Sequence, residues 1–498
     1  MEHLLSALPL VLQWHNILAM VIGTIGGIAI GALPGLTATM GVAILLPLTF
    51  TLEPLTALAM VSGIYNGAMF GGAIPAILLR IPGTPSAIAT TFDGYPMMQK
   101  GEAGKALEIA VTSSAVGGMV SALALMLFAP PLVLVALAFG PAEYFWVAVF
   151  GLVSIAVLLG DSVIKGLLSV CLGLFLGTVG VDQITGVERF TFDSMHLVGG
   201  FEIVVLLTGL YAIPPALIMA EDAIRQSPPQ VAQALLQRST RLLSLCRTLW
   251  RTWTRASIIG VVIGIIPGAG GNVASFLSWN EEKRTAKDPT RFGDGAPEGL
   301  AASECANNAD NAAALIPALT LGVPGNAVAA VILGALLIHG LRPGPELFTQ
   351  SADVAYGFML ELFITSVMVF FLGRYGAPLF VHVLRAPKPL LVPMIISLAV
   401  IGAYSLRNSI FDIWAVFGFG LLGYAMERLR IPLAPAVIAL ILGPMAESEL
   451  RRALIIGQGD VAALFSGPIS IILVVLSVAV FASPVIRRVV AKRRQPET

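Results

Sequence analysis

The sequence predicts an all-α polytopic membrane protein, with roughly 10 to 14 membrane helices in two pseudo-symmetric repeats that carry re-entrant hairpins and broken helices. Three observations predict it. Hydrophobic residues are 57% of 498 and charged residues only 12%, whereas soluble domains run at about 25% charged, so the chain cannot dress an aqueous surface. Its apolar stretches are apolar all round for roughly 17 to 25 residues, the length that crosses a bilayer as helix. Finally, the prolines and glycines that interrupt these stretches recur in both halves with the same spacing.

Taken in order, the candidate membrane segments of the first half fall at 17–34, 36–52, 55–79, 106–128, 131–159, 163–180 and 197–220. Those of the second half fall at 257–279, 312–338, 353–373, 389–405, 410–426, 432–446 and 468–486. The start, "MEHLLSALPL", has no basic run and predicts no cleaved signal peptide. Residues 1–220 and 257–486 are read as the two transmembrane repeats. The linker 221–256 carries Arg225, Arg238, Arg241, Arg247, Arg251 and Arg255 against Glu221 and Asp222, and the tail 487–498 is basic as well. Lys and Arg accumulate on the cytoplasmic side of short loops, which places linker and tail there. The three cysteines, Cys171, Cys246 and Cys305, have neither metal-ligand spacing nor an evident pairing and read as small fillers.

The internal repeat rests on paired interruptions. Pro34-Gly35 in "IGALPGLTATMG" answers Pro267-Gly268 in "IGIIPGAGGNVA", an offset of 233 residues. Pro82-Gly83 in "ILLRIPGTPSA" answers Pro324-Gly325 in "LTLGVPGNAVA", an offset of 242. Proline removes a helix donor and glycine lets the chain turn sharply. In hydrocarbon the freed backbone groups survive only inside protein or beside water and ligand. Paired interruptions of this kind are the best sequence pointer to a transporter's binding site: helix N-termini attract anions there, and unwound carbonyls suit a small cation. Segment 257–279 has Arg255 on one flank and Lys283-Arg284 on the other. Both flanks stay cytoplasmic if it is a re-entrant hairpin, with arms of about 10 residues and a tip reaching mid-membrane. The equivalent 17–52 lacks basic flanks, as the opposite side of an inverted repeat would.

The polar residues beside these breaks are the site candidates. In the first half they are Thr37, Asn66, Thr84 and Ser86, with Tyr65, Thr90, Thr91 and Asp93 nearby. Arg80 precedes the break and has three readings: attracting an anion, pairing with Asp93, or snorkelling to the interface. In the second half Gly270, Gly271, Asn272 and Ser275 follow the hairpin turn, and Asn326 follows Pro324-Gly325. The cluster Asn307, Asn308, Asp310 and Asn311 precedes an apolar run. Its amides can hold a carboxylate through nitrogen or a sodium ion through oxygen. An ionisable residue at membrane depth is a functional candidate by default, which singles out Asp310; the bland alternative is a loop carboxylate in water. Glu304 is read as a helix-start charge and His339 as a helix-terminal packing residue, with a proton relay as its alternative.

"GLTATMG", "GTPSAIATTFDGYPM", "FLSWNEEKR", "FGDGAPEGLAASECANNADNAAALIPALTLGVPGNA" and "LGALLIHGLRPGP" resemble the large membrane subunit of the tripartite tricarboxylate transporter family, from about residue 16 to 480. The resemblance implies a permease of the bacterial inner membrane with a small four-span membrane partner. It also implies a periplasmic solute-binding protein that delivers citrate or another di- or tricarboxylate. It further implies uptake driven by an ion gradient, usually sodium with protons as the alternative, and no resident cofactor or metal. The chain departs from the family pattern where Ser303 stands for a proline, Asp310-Asn311 for small residues and Ala312-Ala313 for glycines, which puts the cargo in question more than the mechanism. The rival readings are a channel and an intramembrane aspartyl protease. The latter rests on Gly457, Gly459 and Asp460 with Asp161 or Asp412 as second acid. Neither a His-Glu-x-x-His motif nor a Walker phosphate loop is present, and nothing in the charge pattern points to nucleic acid.

Overall fold

In a bilayer the backbone must satisfy its own hydrogen bonds, and helices do so within one segment. The computed structural model is accordingly built almost wholly of helices among the described residues. It describes the chain apart from residues 1, 159–161, 183, 226–241, 385–387 and 495–498. At 2, 222–225, 242–244, 377–378, 381, 388 and 485–494 it describes the backbone alone. Among the described residues nine helices are long and apolar enough to span a membrane, and several shorter apolar helices accompany them. Among the described residues the strand content is a two-residue antiparallel pair, Gly180–Val181 with Glu188–Arg189, in a connection.

The first half runs α1 (Glu2–Val11), α2 (Trp14–Ala32), α3 (Ala38–Thr49), α4 (Pro54–Gly71), α5 (Ala73–Leu79), α6 (Thr90–Gln99), α7 (Ala103–Ala136), α8 (Pro141–Leu158), α9 (Val163–Gly177) and α10 (Ile203–Arg225). The second runs α11 (Leu242–Ile265), α12 (Gly270–Thr285), α13 (Pro297–Ala313), α14 (Leu315–Leu321), α15 (Ala327–Ile338), α16 (Pro345–Gln350), α17 (Ala352–Val383), α18 (Lys388–Arg407), α19 (Ile410–Arg428), α20 (Leu433–Ile456) and α21 (Pro468–Arg494).

Three boundaries differ from the sequence expectation. Pro130 and Pro131 lie inside α7, which continues to Ala136, so the segment expected at 131–159 is divided near 137–140 instead. A membrane helix tolerates proline because neighbouring groups re-satisfy the freed carbonyls. Helix α11 begins at Leu242, inside the stretch read as linker, because Leu245, Leu249 and Trp253 recur every four residues and bury one face. Arg247, Arg251 and Arg255 therefore ride on a helix, and the hairpin arm before Pro267 is 24 residues long rather than about 10. The rest of the linker, 226–241, and the tail end, 495–498, lie outside the described residues. Third, the helix that carries the asparagine cluster, α13, is Pro297–Ala313 and ends where the apolar segment 312–338 was expected to begin.

Small residues set the closest crossings. Gly23, Gly27 and Gly31 of α2 face Gly63, Gly67 and Gly71 of α4, and a Cβ at any of the six would stand 2.3 to 2.6 Å from a carbonyl oxygen of the other helix. This four-residue period is how helices pack tightly where lipid offers no hydrophobic drive. Gly260 and Gly264 of α11 do the same against the backbone of α13 at Ala306 and Asp310. Around this centre the halves interlock: α8 and α9 pack on α20, α10 packs on α18 and α19, and α7 lies against both α13 and α17. Outward faces stay apolar, as at Leu123, Leu127 and Leu134 of α7, which are 52, 65 and 71% exposed and suit lipid tails.

Candidate functional site

The two proline-glycine breaks are built alike. The Ile81 amide donates to Pro75 O at 3.3 Å and the Gly83 amide to Gly72 O at 3.2 Å. Their counterparts 242 residues on, Val323 to Pro317 O and Gly325 to Ala314 O, measure 3.2 and 3.1 Å. Each break ends its helix in a left-handed residue, Arg80 at φ 59° and Gly322 at φ 77°. The hairpin turns match as well. The Leu33 amide donates to Ile30 O and the Ile266 amide to Ile263 O, both at 3.0 Å, and Gly35 and Gly268 follow with φ of 93° and 82°. In the second half the turns touch directly, the Gly268 amide donating to Gly325 O at 2.8 Å.

Between these turns lies a cavity of about 350 Å³. Four chain segments begin on its wall: Thr37–Met40 at the start of α3, Thr84–Ser86, Ala269–Asn272 at the start of α12, and Asn326–Val328 at the start of α15. Thr37 caps α3 by accepting from the Met40 amide at 3.3 Å, and Asn326 caps α15 by accepting from the Ala329 amide at 2.9 Å. A helix start presents unsatisfied amides and the positive end of its dipole, so three such starts on one cavity make a place for an anion. Tyr65 and Met69 of α4 and Asp310 of α13 form a further part of the wall, and Tyr211, Glu427 and Ile431–Ala434 complete it.

Asp310 is fully buried, not a loop carboxylate in water. Its Oδ2 accepts from Asn326 Nδ2 at 2.8 Å, and Asn326 Nδ2 also lies 3.0 Å from Tyr65 Oη. The asparagines beside it divide into two roles. Asn311 Nδ2 reaches Asn66 Oδ1 at 3.2 Å and Asn308 Oδ1 at 3.4 Å. Asn66 Nδ2 in turn lies 3.0 Å from Leu362 O, 2.8 Å from Thr365 Oγ1 and 3.1 Å from Ser366 Oγ. Asn308 Nδ2 donates to Glu304 O at 3.0 Å. Asn66, Asn308 and Asn311 thus brace α4, α13 and α17 behind the wall.

Of the sequence candidates, the cavity brings together Thr37, Thr84, Ser86, Gly270, Gly271, Asn272, Asp310 and Asn326. Pro34, Gly35, Pro82, Gly83, Pro267, Gly268, Pro324 and Gly325 do not line it; they shape the turns that aim the lining residues. Asn66, Asn307, Asn308 and Asn311 stand outside the lining too, buried behind it. Ser275 spends its hydroxyl on Asn272 O at 3.1 Å.

Other expectations change. Glu304 is not a helix-start charge: it sits midway along α13, fully buried, accepting from Thr90 Oγ1 and, at 2.9 Å, from Ser114 Oγ. Arg80 does not pair with Asp93. It is exposed and lies over the Tyr95 ring, 5.7 Å from its centroid. Asp93 Oδ1 accepts the amides of Gly293, Gly295 and Ala296 at 2.9, 3.0 and 2.8 Å, and Oδ2 accepts Trp279 Nε1 at 2.7 Å, so it pins the connection before α13. His339 caps the end of α15. Asp460 accepts the Ala462 amide at 2.8 Å in an exposed turn, Asp412 pairs with Arg407 at 2.9 Å, and Asp161 lies outside the described residues. Tyr211 and Glu427 line the cavity without any motif to announce them; they come from α10 and α19, far from the breaks in sequence.

The chain matches the family model described as the tripartite tricarboxylate transporter TctA family over residues 17–438. It is 38% identical over 478 residues, 96% of this chain and 95% of the relative, to an uncharacterized 52.8 kDa protein of the TAR-I ttuC' 3' region of Agrobacterium vitis. It is 37% identical over 236 residues, 47% of this chain and 98% of the relative, to an uncharacterized protein of the TAR-II ttuC' 3' region of the same organism. No solved structure matches it. A multi-pass helical chain with this cavity, matched over most of its length, belongs to the tripartite tricarboxylate transporter TctA family, as a membrane component of a multi-subunit transporter.

Proposed function

We propose that the chain is the permease that moves a carboxylate, citrate or another di- or tricarboxylate, across the bacterial inner membrane by secondary transport. One observation carries the reading: the starts of α3, α12 and α15 and the turn at 84–86, drawn from both halves, converge on one cavity. Their amides favour carboxylate oxygens without any basic side chain. In this reading 1–220 and 257–486 act as inverted repeats, with 221–256 and 487–498 facing the cytoplasm. A sodium gradient supplies the energy, with protons as the alternative. A periplasmic solute-binding protein delivers the cargo, a small four-span subunit completes the complex, and no enzymatic step is involved. The exposed position of Asp460 gives the protease alternative no support, and paired helix breaks that face one cavity favour alternating access over an open channel.

The test is uptake of a radiolabelled tricarboxylate or dicarboxylate by proteoliposomes holding this chain and its partners. Uptake is expected only with an inward ion gradient and the binding protein present. Uptake indifferent to both overturns the proposal.

A further inference from the structure

A cavity suited to an anion carries an unexpected charge. Among the described residues that line it, Asp310 and Glu427 are acidic and none is basic. Helix starts alone must then hold a carboxylate against carboxylates, and like charges repel. Behind the Asp310 wall stands a second anomaly. Asp310 Oδ1, Asn311 Oδ1 and both polar side-chain atoms of Asn307 have no hydrogen-bond partner among the described residues, although all three residues are fully buried. Buried polar groups are normally paired, and each exception asks for an explanation. Three such residues on adjoining positions of one helix ask for a common one.

Their spacing supplies it. Asn307 and Asp310 are three apart on α13, Asn307 and Asn311 four apart, so they share one face. The start of α12 closes on that face: a Cβ built at Gly271 would stand 2.8 Å from Asn307 Oδ1 and 3.4 Å from Asp310 Oδ2. Asn326 Nδ2 holds Oδ2 at 2.8 Å, which leaves Oδ1 as the open acceptor. One carboxylate oxygen and two amide oxygens are hard, neutral-to-singly-charged donors of the kind that hard cations take.

We propose that Asp310 Oδ1, with the side-chain oxygens of Asn307 and Asn311, seats a sodium-sized monovalent cation at the rear of the cavity. The cation supplies the positive charge against which the solute carboxylate is held. One carboxylate balances one charge, which favours a monovalent over a divalent ion. The inference rests on the permease reading for its purpose but not for its test.

The purified full chain is melted in detergent while sodium chloride replaces choline chloride or potassium chloride at constant ionic strength. A ligand that binds only the folded state raises its melting temperature by mass action. Sodium is expected to stabilise the wild type where choline and potassium do not. Asp310→Asn and Asn307→Ala are expected to raise the half-effective sodium concentration by about tenfold or more, within the usual range of a direct binding contact. Gly271→Ala, which leaves both ligands in place but sets a methyl against them, is expected to lose the response too, and Asp182→Asn, in a connection outside the site, to keep it. Equal stabilisation by all three salts, or a wild-type sodium response in Asn307→Ala and Gly271→Ala, would each overturn the seat. Sodium-independent carboxylate uptake with no sodium response removes the seat and keeps the permease. A sodium response without any carboxylate uptake does the reverse.

Discussion

The two helix breaks share a backbone and differ in chemistry. At the first, Gly72 to Thr84, and at the second, Ala314 to Asn326, equivalent amides find equivalent carbonyls within about a tenth of an ångström. The side chains behind them do not correspond. Where α4 carries Tyr65, Ala68 and Met69, the positions 242 residues on in α13 are Asn307, Asp310 and Asn311. The comparison teaches that the fold uses its internal symmetry to aim chain starts at one cavity, and then breaks it to put all the buried charge of the broken helices on one side. Symmetry of the backbone gives geometry; asymmetry of the side chains gives a polarity that a perfectly symmetric site cannot have.

The largest effect is expected from attacking that asymmetry. Asp310→Asn should lower carboxylate uptake by about tenfold or more, within the range of coupling between two ligands, while Ala68→Asp added to it should not restore transport. Proteoliposome uptake measures both; recovery in the double variant would mean that the sides are interchangeable. Next come the glycines that the shared backbone demands. A Cβ at Gly83 would stand 2.3 Å from Gly31 O, and one at Gly325 2.5 Å from Gly264 O. Gly83→Ala and Gly325→Ala are each expected to cost about 1–3 kcal/mol of stability, as overpacking does, and by similar amounts; a melting temperature lowered in only one variant would show the breaks to be mechanically unequal.

A smaller difference should separate the capping residues. Asn326→Ala loses the α15 cap and the bond to Asp310, whereas Thr84→Ala loses a contact to Ser86 Oγ at 3.1 Å. The first should cost about 1 kcal/mol or more, as caps do, and the second less, by thermal unfolding. The smallest effect lies outside the comparison, in the connection after α9. There the Ile184 and Thr185 amides, and then Arg451, hold the Asp182 carboxyl well below the usual carboxylate range. A depressed folded-state value contributes order that is present above the unfolded value and lost as pH falls through the folded one. The Ile184 and Thr185 amides should therefore stay protected from hydrogen exchange, relative to their intrinsic rates, at neutral pH and lose that protection only in strong acid, and in Asp182→Asn they should lose it throughout.

Much of the site could be read from the chain because its signals are local. Proline and glycine report backbone breaks by their own stereochemistry, so both breaks and both hairpin turns stand where "IPG", "VPG", "LPG" and "IPG" are written. Eight of the polar and glycine positions beside them do line the cavity. What escaped the reading was whether a polar residue faces the cavity or braces a neighbour. Asn66 and Asn308 carry the same residue type as Asn326, yet they spend their amides on α17 and α13. Glu304 looked like a helix-start charge because a run of small residues hides where a helix begins, and its true partners, Thr90 and Ser114, lie on α6 and α7.

The sequence by itself determined the solvent, the secondary structure and the principal breaks: an apolar surface can only face lipid, lipid admits helices, and the four proline-glycine pairs interrupt them. Only the tertiary structure decided which interrupted ends meet, which of several buried asparagines are spent on packing, and that Tyr211 and Glu427 close the cavity from elements without motifs. The reason is that facing is a relation between segments hundreds of residues apart. It is set by how glycine-lined helices such as α2 on α4 and α11 on α13 seat against each other, and no local period in the chain encodes the partner.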